Sequence, residues 1–168
     1  MPQSSASGPQ PRIDDPLLDL TPGLDEKSKT IIEQLQQNGR SSYSHIARVV
    51  GLSEAAVRQR VAKLLDEQVI KIVAVTNPLQ VGFPRQAMVQ IKADSDLLGT
   101  ADRLAAIPEV DYCVVTSGRW DIIAELVCED DDHLLRVLSR IRQTDGVQET
   151  DTLTYLSLRK QEYDWGTR

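Results

Sequence analysis

SSYSHIARVVGLSEAAVRQRVAKL, residues 41–64, decides the fold of the first half of this chain. Ile46, Ala47 and Val50 recur at helical spacing and give a first short helix one apolar face. Ala47 is small where a second helix has to cross closely. Gly51 follows the last apolar residue, at the position where a left-handed backbone is wanted and glycine adopts it at little cost. Leu52 plugs the space between the helices. Ser53 is a natural N-cap, and Glu54 sits in the next first turn, where its charge suits the helix dipole. Val57, Val61 and Leu64 then repeat at i, i+4 and i+7 as a buried stripe, with Arg58, Gln59 and Lys63 off it. The small residue, glycine, plug and cap stand at the offsets of a helix-turn-helix, which makes double-stranded DNA the first partner to test. Arg60 occupies a place where such motifs usually carry an apolar residue, and Val61 takes that packing role.

Outward from this core, the chain divides into four parts. Residues 1–23 hold five of the eight prolines among Ser and Gly, so they read as a disordered tail. Residues 24–68 form the helix-turn-helix domain, opened by a helix that Asp25 caps and that Ile31, Ile32 and Leu35 make amphipathic. Residues 69–84 are a hinge strand and linker: VIKIVAV is short and β-branched, and Asn77-Pro78 stops it. Residues 85–168 form the second domain. It reads strand 87–93, helix 97–107, strand 110–116, strand 120–128, helix 130–143 and strand 147–158. That order is the ferredoxin-like βαββαβ unit, a four-stranded antiparallel sheet with both helices on one face, so the fold class is α+β. The other face is expected to be open, with Val89, Ile91, Ile122, Ala124 and Leu126 available for a second copy.

Charge follows the same division. The chain carries −6 overall, but residues 24–76 hold eight Lys/Arg against six Asp/Glu, while residues 77–168 hold ten against sixteen. The acidic half should lie away from a phosphate backbone, and a module at +2 calls for at least two modules on one duplex. No run approaches the ~18 apolar residues of a membrane span, and no secretory signal opens the chain, so a cytoplasmic location with no membrane partner is expected. Cys113 and Cys128 read as buried thiols.

The candidate DNA-facing residues are Arg40, Ser42, Tyr43, Ser44, Ser53, Arg58, Gln59, Arg60 and Lys63. Gln59 is the base reader of choice, since Gln bonds adenine at two points, and Arg58 suits guanine or phosphate. Arg60, Lys63 and Arg40 suit phosphates, as do the N–H groups where Ser42, Tyr43 and Ser44 open a helix. Glu129-Asp130-Asp131-Asp132 reads as dipole stabilisation at a helix start, not a metal cage. His45 and His133 have no second catalytic group beside them, so no enzyme, cofactor or metal is expected.

From residue 24 to about 163 the chain resembles the Lrp/AsnC, or feast/famine, family of transcriptional regulators. The match is carried by LDEKSKTIIEQLQQNGRSSYSHIARVVGLS, VIKIVAVTNPLQVGF, TSGRWDIIAELV and DGVQETDTLTYLSL, in that order and spacing. The resemblance implies a DNA-binding regulator that dimerises through its sheets and assembles to tetramers or octamers. It also implies that a small amino-acid effector binds between protomers. Gly118, Arg119, Trp120 and Asp121 then become effector-site residues, with Thr150 and Thr152 from a neighbouring protomer. Backbone N–H groups at that turn suit a carboxylate, and Asp121 an ammonium. Ser117 replaces the family's usual Thr, and Arg119-Trp120 a smaller polar residue and Tyr, so the turn is bulkier and more basic. The competing reading is a stand-alone amino-acid sensor or enzyme-regulatory subunit without DNA binding.

Overall fold

The computed structural model describes residues 23–167, and the proline-rich tail lies outside them. By compactness the described residues fall into two units, 23–73 with 162–167 and 74–161.

The first unit holds α1 (Glu26–Gln37), α2 (Tyr43–Val50) and α3 (Glu54–Asp66). Each starts on a side-chain cap that satisfies a backbone donor left over at a helix start. Asp25 accepts from the Ser28 N–H, Ser42 from His45 and Ser53 from Ala56. Gly51 ends α2 with φ +69°, the left-handed conformation that lets the chain reverse into α3. Ile31, Ile32, Ile46, Ala47, Val57, Val61 and Leu64 are buried together, with Leu52 against them.

The second unit is built from β1 (Arg85–Ala93), α4 (Leu97–Ala105), β2 (Val110–Val115), β3 (Ile122–Cys128), α5 (Asp131–Gln143) and β4 (Val147–Thr154). The sheet order is β2-β3-β1-β4, antiparallel throughout. Its core joins alternate sheet residues to Leu104 of α4 and Leu134, Val137 and Ile141 of α5. Gly146 turns α5 into β4 at φ +90°, and a Cβ there would stand 2.0 Å from the buried Thr100 hydroxyl, so only glycine fits. Burial pushes the Cys113 thiol up to about 11, and Cys128 is buried, so neither is a reactive thiolate.

Three expectations are corrected. Residues 69–75, read as a hinge strand, form none, and Ile72, Val73 and Val75 are exposed. A β-branched run makes a strand only against a partner strand, and among the described residues none pairs with it. The chain resumes order in a 3₁₀ turn at Pro78–Val81, capped by the Asn77 side chain. The last strand ends at Thr154, short of residue 158.

The third correction concerns the sheet's two faces. Val89, Ile91, Ile122 and Ala124 are 0% exposed and Leu126 1%, because they lie under the helices. Strand alternation separates two faces but does not say which one the helices cover. The face without helices carries Met88, Gln90 and Lys92 of β1, Tyr112 and Val114 of β2, Ile123, Glu125 and Val127 of β3, and Leu153 of β4. Tyr112 is 54% and Leu153 46% exposed there. The Tyr155 hydroxyl donates to Glu125 at 2.8 Å, and burial with that bond raises its pKa.

Candidate nucleic-acid and effector sites

The outward line of α3 is Ala55, Gln59 and Ala62 at helical spacing, opposite the buried Val57, Val61 and Leu64. Gln59 is exposed between two exposed alanines, so nothing on its own helix keeps the amide from a groove floor. Asp66 continues the line at the C-terminal end and would meet phosphates unfavourably. The N-terminal half of this line therefore carries no carboxylate.

Arg58 stands at the edge of this line. Its Nη2 donates to Glu54 at 2.9 Å, and its guanidinium lies over the Tyr43 ring, 5.2 Å from the centroid. Lys63, on the opposite edge, reaches Glu67 at 3.6 Å. Arg40 is exposed at the end of the α1–α2 loop, whose turn is closed by its own N–H donating to Asn38. A shallow depression of about 300 Å³ is lined by Arg40, Ser42, Tyr43 and Ile72 among others. Ser42 and Ser53 spend their hydroxyls as caps, and Ser44 lies 3.4 Å from the Ser42 hydroxyl. Arg48, not singled out in the sequence, is exposed on α2 with no partner among the described residues.

Arg60 takes a different place from the one expected. Its Nη1 donates to both Asp25 carboxylate oxygens, at 2.8 and 2.7 Å, and to the Ser28 hydroxyl at 3.0 Å. An arginine replaces the usual apolar residue because the N-cap of α1 supplies a carboxylate for it. The residue pins α3 to the start of α1 and is not aimed at a phosphate. Its exposed partner Asp25 is held down to about 2 by the Ser28 N–H, the Ser28 hydroxyl and then Arg60.

In the second unit the turn after β2 is tied into the sheet. Thr116 donates its N–H to the Asp121 carbonyl at 2.8 Å, and its hydroxyl to the Trp120 carbonyl. The Arg119 guanidinium lies over the Trp120 ring at 5.6 Å, and Gly118 is exposed with open space where a Cβ would be. Asp121, expected to hold an ammonium from an effector, already accepts from the Ala93 N–H and the Lys92 ammonium, each at 3.1 Å. These two bonds, the backbone one first, lower its pKa. Lys92 alternates onto the helix-free face, and sequence spacing of 29 residues gave no sign of the pair.

Thr150 and Thr152 lie on edge strand β4, on the face the helices cover, opposite Ile91 and Val89. The Thr150 hydroxyl accepts from Arg142 at 3.2 Å, whereas the buried Thr152 hydroxyl has no hydrogen-bond partner among the described residues. Ile91 pairs with Ile122 on one side and Thr150 on the other. The Asp121 turn and Thr150 therefore share one end of the sheet within a single chain, two strand spacings or about 10 Å apart. The acidic run does helix work: Asp130 caps α5 and Asp131 pairs with Arg85.

A model of the AsnC-type helix-turn-helix domain matches residues 24–65, and a model of the Lrp/AsnC ligand binding domain matches residues 86–165. An HTH-type transcriptional regulator of Pyrococcus abyssi is 35% identical over 146 residues, covering 85% of this chain and 90% of that protein. The regulator LysM of Saccharolobus solfataricus is 29% identical over 133 residues, 79% of this chain and 94% of its own. Among solved structures, Escherichia coli AsnC superposes with a TM-score of 0.70 at 26% identity, covering 83% of this chain and 97% of that one. The Mycobacterium tuberculosis leucine response regulatory protein gives 0.75 at 28%, covering 82% and 96%.

The Asp25–Arg60 contact predicts an acid transition. Protonating Asp25 gives up its bonds to Ser28 and Arg60, so their contribution to stability is intact above 3.8 and is lost as pH falls through about 2. Carboxyl chemical shifts followed by NMR should place the Asp25 midpoint near 2, and Arg60→Met should move it partway back toward 3.8. A midpoint at 3.8 in the parent would remove the contact.

Proposed function

Because the chain belongs to the Lrp/AsnC family of transcriptional regulators, we propose that it reads specific DNA with α3 as a cytoplasmic homodimer or larger assembly and answers to a small amino acid. The observation that carries the DNA reading is the position of Gln59, exposed on the outward line of α3 between two alanines, with Arg58 beside it. Gln59 meets a base edge, and Arg58 the neighbouring base. Lys63, Arg40 and the start of α2 hold phosphates on either side. Arg48 joins the phosphate set. One module carries few net positive charges, so two are required on one duplex, and two-fold symmetry makes the target a rough palindrome.

Gln59→Ala should relax sequence preference at one position in each half-site, at about 1–3 kcal/mol for a lost bidentate contact. Lys63→Ala should weaken binding evenly across sequences and reduce the salt slope by about one. Selection from random duplexes followed by titration at several salt concentrations separates the two. Parent-like behaviour of both variants would show that α3 is not the reader, and would favour the stand-alone sensor.

Assembly is supported by two unpaired features, the helix-free sheet face and residues 71–77. A second copy laid against that face covers Met88, Tyr112, Ile123, Val127 and Leu153. Tyr112→Glu should shift sedimentation from dimer or larger to monomer while the sheet core keeps its far-UV signature. A parent that sediments as a monomer at micromolar concentration would refute the dimer.

The effector reading rests on the Asp121 turn and the Thr150–Thr152 edge, completed by a neighbouring protomer. Asp121 holds Lys92 in place on the helix-free side of its own chain, so an amino-acid carboxylate has a cation at hand there, and the Thr150–Thr152 edge that meets the ligand from the other side is the neighbouring protomer's. Thr152→Val removes one hydroxyl of that edge at constant shape. It should leave stability unchanged or raise it by up to about 1 kcal/mol, and should abolish the calorimetric signal of whichever common amino acid binds the parent. An unchanged affinity would remove Thr152 from the site.

A further inference from the structure

Every cation on α3 is already paired inside its own domain: Arg58 with Glu54, Arg60 with Asp25 and Lys63 with Glu67. Arg60 is held by three acceptor contacts and is structural. The Arg58 arrangement differs in kind. Its side chain is 64% exposed, yet two different helices constrain it, Glu54 of α3 through an ion pair and Tyr43 of α2 through its ring. An exposed ion pair at this spacing adds little to stability, so stability does not account for two restraints on one outward-facing arginine. They do account for a guanidinium whose plane is fixed before DNA arrives. Glu54 takes one of the two Nη2 N–H groups, which leaves the other Nη2 N–H and Nη1 as a fork to present toward a base edge.

We propose that Glu54 is a specificity-determining positioning residue of the DNA reader, setting the Arg58 guanidinium against the Tyr43 ring and opposing duplexes that lack the base Arg58 reads. The inference rests on the DNA reading given above. On a duplex with guanine at that position, Arg58 bonds its O6 and N7 while keeping Glu54, so the Glu54 carboxylate stays neutralised next to the phosphates. On any other base pair the guanidinium has no acceptor pair to meet. If it swings to a phosphate, it leaves Glu54 as an uncompensated anion facing the polyanion. Repulsion then weakens the wrong complex, and discrimination grows at the expense of general affinity.

The test is equilibrium binding of the full chain to its selected site and to mixed-sequence duplex, with base preference read by selection. Glu54→Gln keeps an acceptor for Arg58 and removes the charge. It should tighten mixed-sequence binding about three- to tenfold at low salt and flatten the preference for guanine at one position of each half-site. Tyr43→Leu should flatten the same position without tightening mixed-sequence binding. In an Arg58→Ala background, Glu54→Gln should change preference no further. Failure of this inference and of the DNA reading are distinguishable. If Gln59→Ala alters preference while Glu54→Gln matches the parent at every position and on mixed sequence, the role of Glu54 is overturned and the reader stands. If the parent selects no duplex at all, both fall.

Discussion

The reversal at Gly51 fixes where α3 lies, and everything the first domain can offer to DNA depends on it. A left-handed residue at the end of α2 brings Leu52 back onto the Ala47 carbonyl and starts α3 within two residues. The buried Ala47 leaves room for the crossing. With the crossing set, the stripe of Val57, Val61 and Leu64 determines the rotation of α3, and rotation determines that Gln59 faces out. A side chain at Gly51 would be strained by its backbone alone, since open space surrounds the place of its Cβ. α3 is thus positioned by apolar packing and one turn, and Arg60 pins it to the start of α1.

The charged residues of α3 are arranged with restraint. A DNA-binding helix with free arginines gains affinity for every sequence equally, because phosphates are everywhere along a duplex. Here each cation of α3 has a carboxylate within its own module, two of them at i, i+4 on the same helix. Exposed pairs of this kind exchange partners at little cost. The module therefore presents little net field around α3, with Arg58 and Lys63 in exposed pairs and Arg60 held against α1.

What the sequence disclosed follows from the range over which its signals act. Caps, the glycine turn and helical periodicity are local, and Asp25, Ser42, Ser53, Gly51 and the Val57–Val61–Leu64 stripe all stand where spacing put them. The order of the second domain was legible for the same reason. Arg60 was not, because its partners Asp25 and Ser28 are some thirty residues away and no periodicity links them. Glu54 was read only for the helix dipole, so its pairing with Arg58 was missed despite the i, i+4 spacing, and the Tyr43 ring beside them comes from another helix. Period-two alternation separated the two faces of the sheet but carried no information on which one the helices cover. Residues 69–75 have the composition of a strand, and composition does not supply the second strand that a ladder requires.

The edge strand β4 brings these threads together. Edge strands offer unpaired backbone groups, and Thr150 and Thr152 add hydroxyls to the helix-covered side of that edge. A hydroxyl buried without a partner costs about 1–3 kcal/mol relative to one that is satisfied. Val in place of Thr152 would avoid that cost among the apolar side chains of Val89 and its neighbours. A polar residue at such a position is stabilising only in a state that supplies its missing partner, whether a ligand atom or a group from another protomer. The isolated chain is in that sense an incomplete molecule at three places: the Thr152 hydroxyl, the helix-free sheet face and the ladderless residues 71–77. Each of the three is a cost or an exposed surface that only further contacts, from a ligand or from another polypeptide, would relieve.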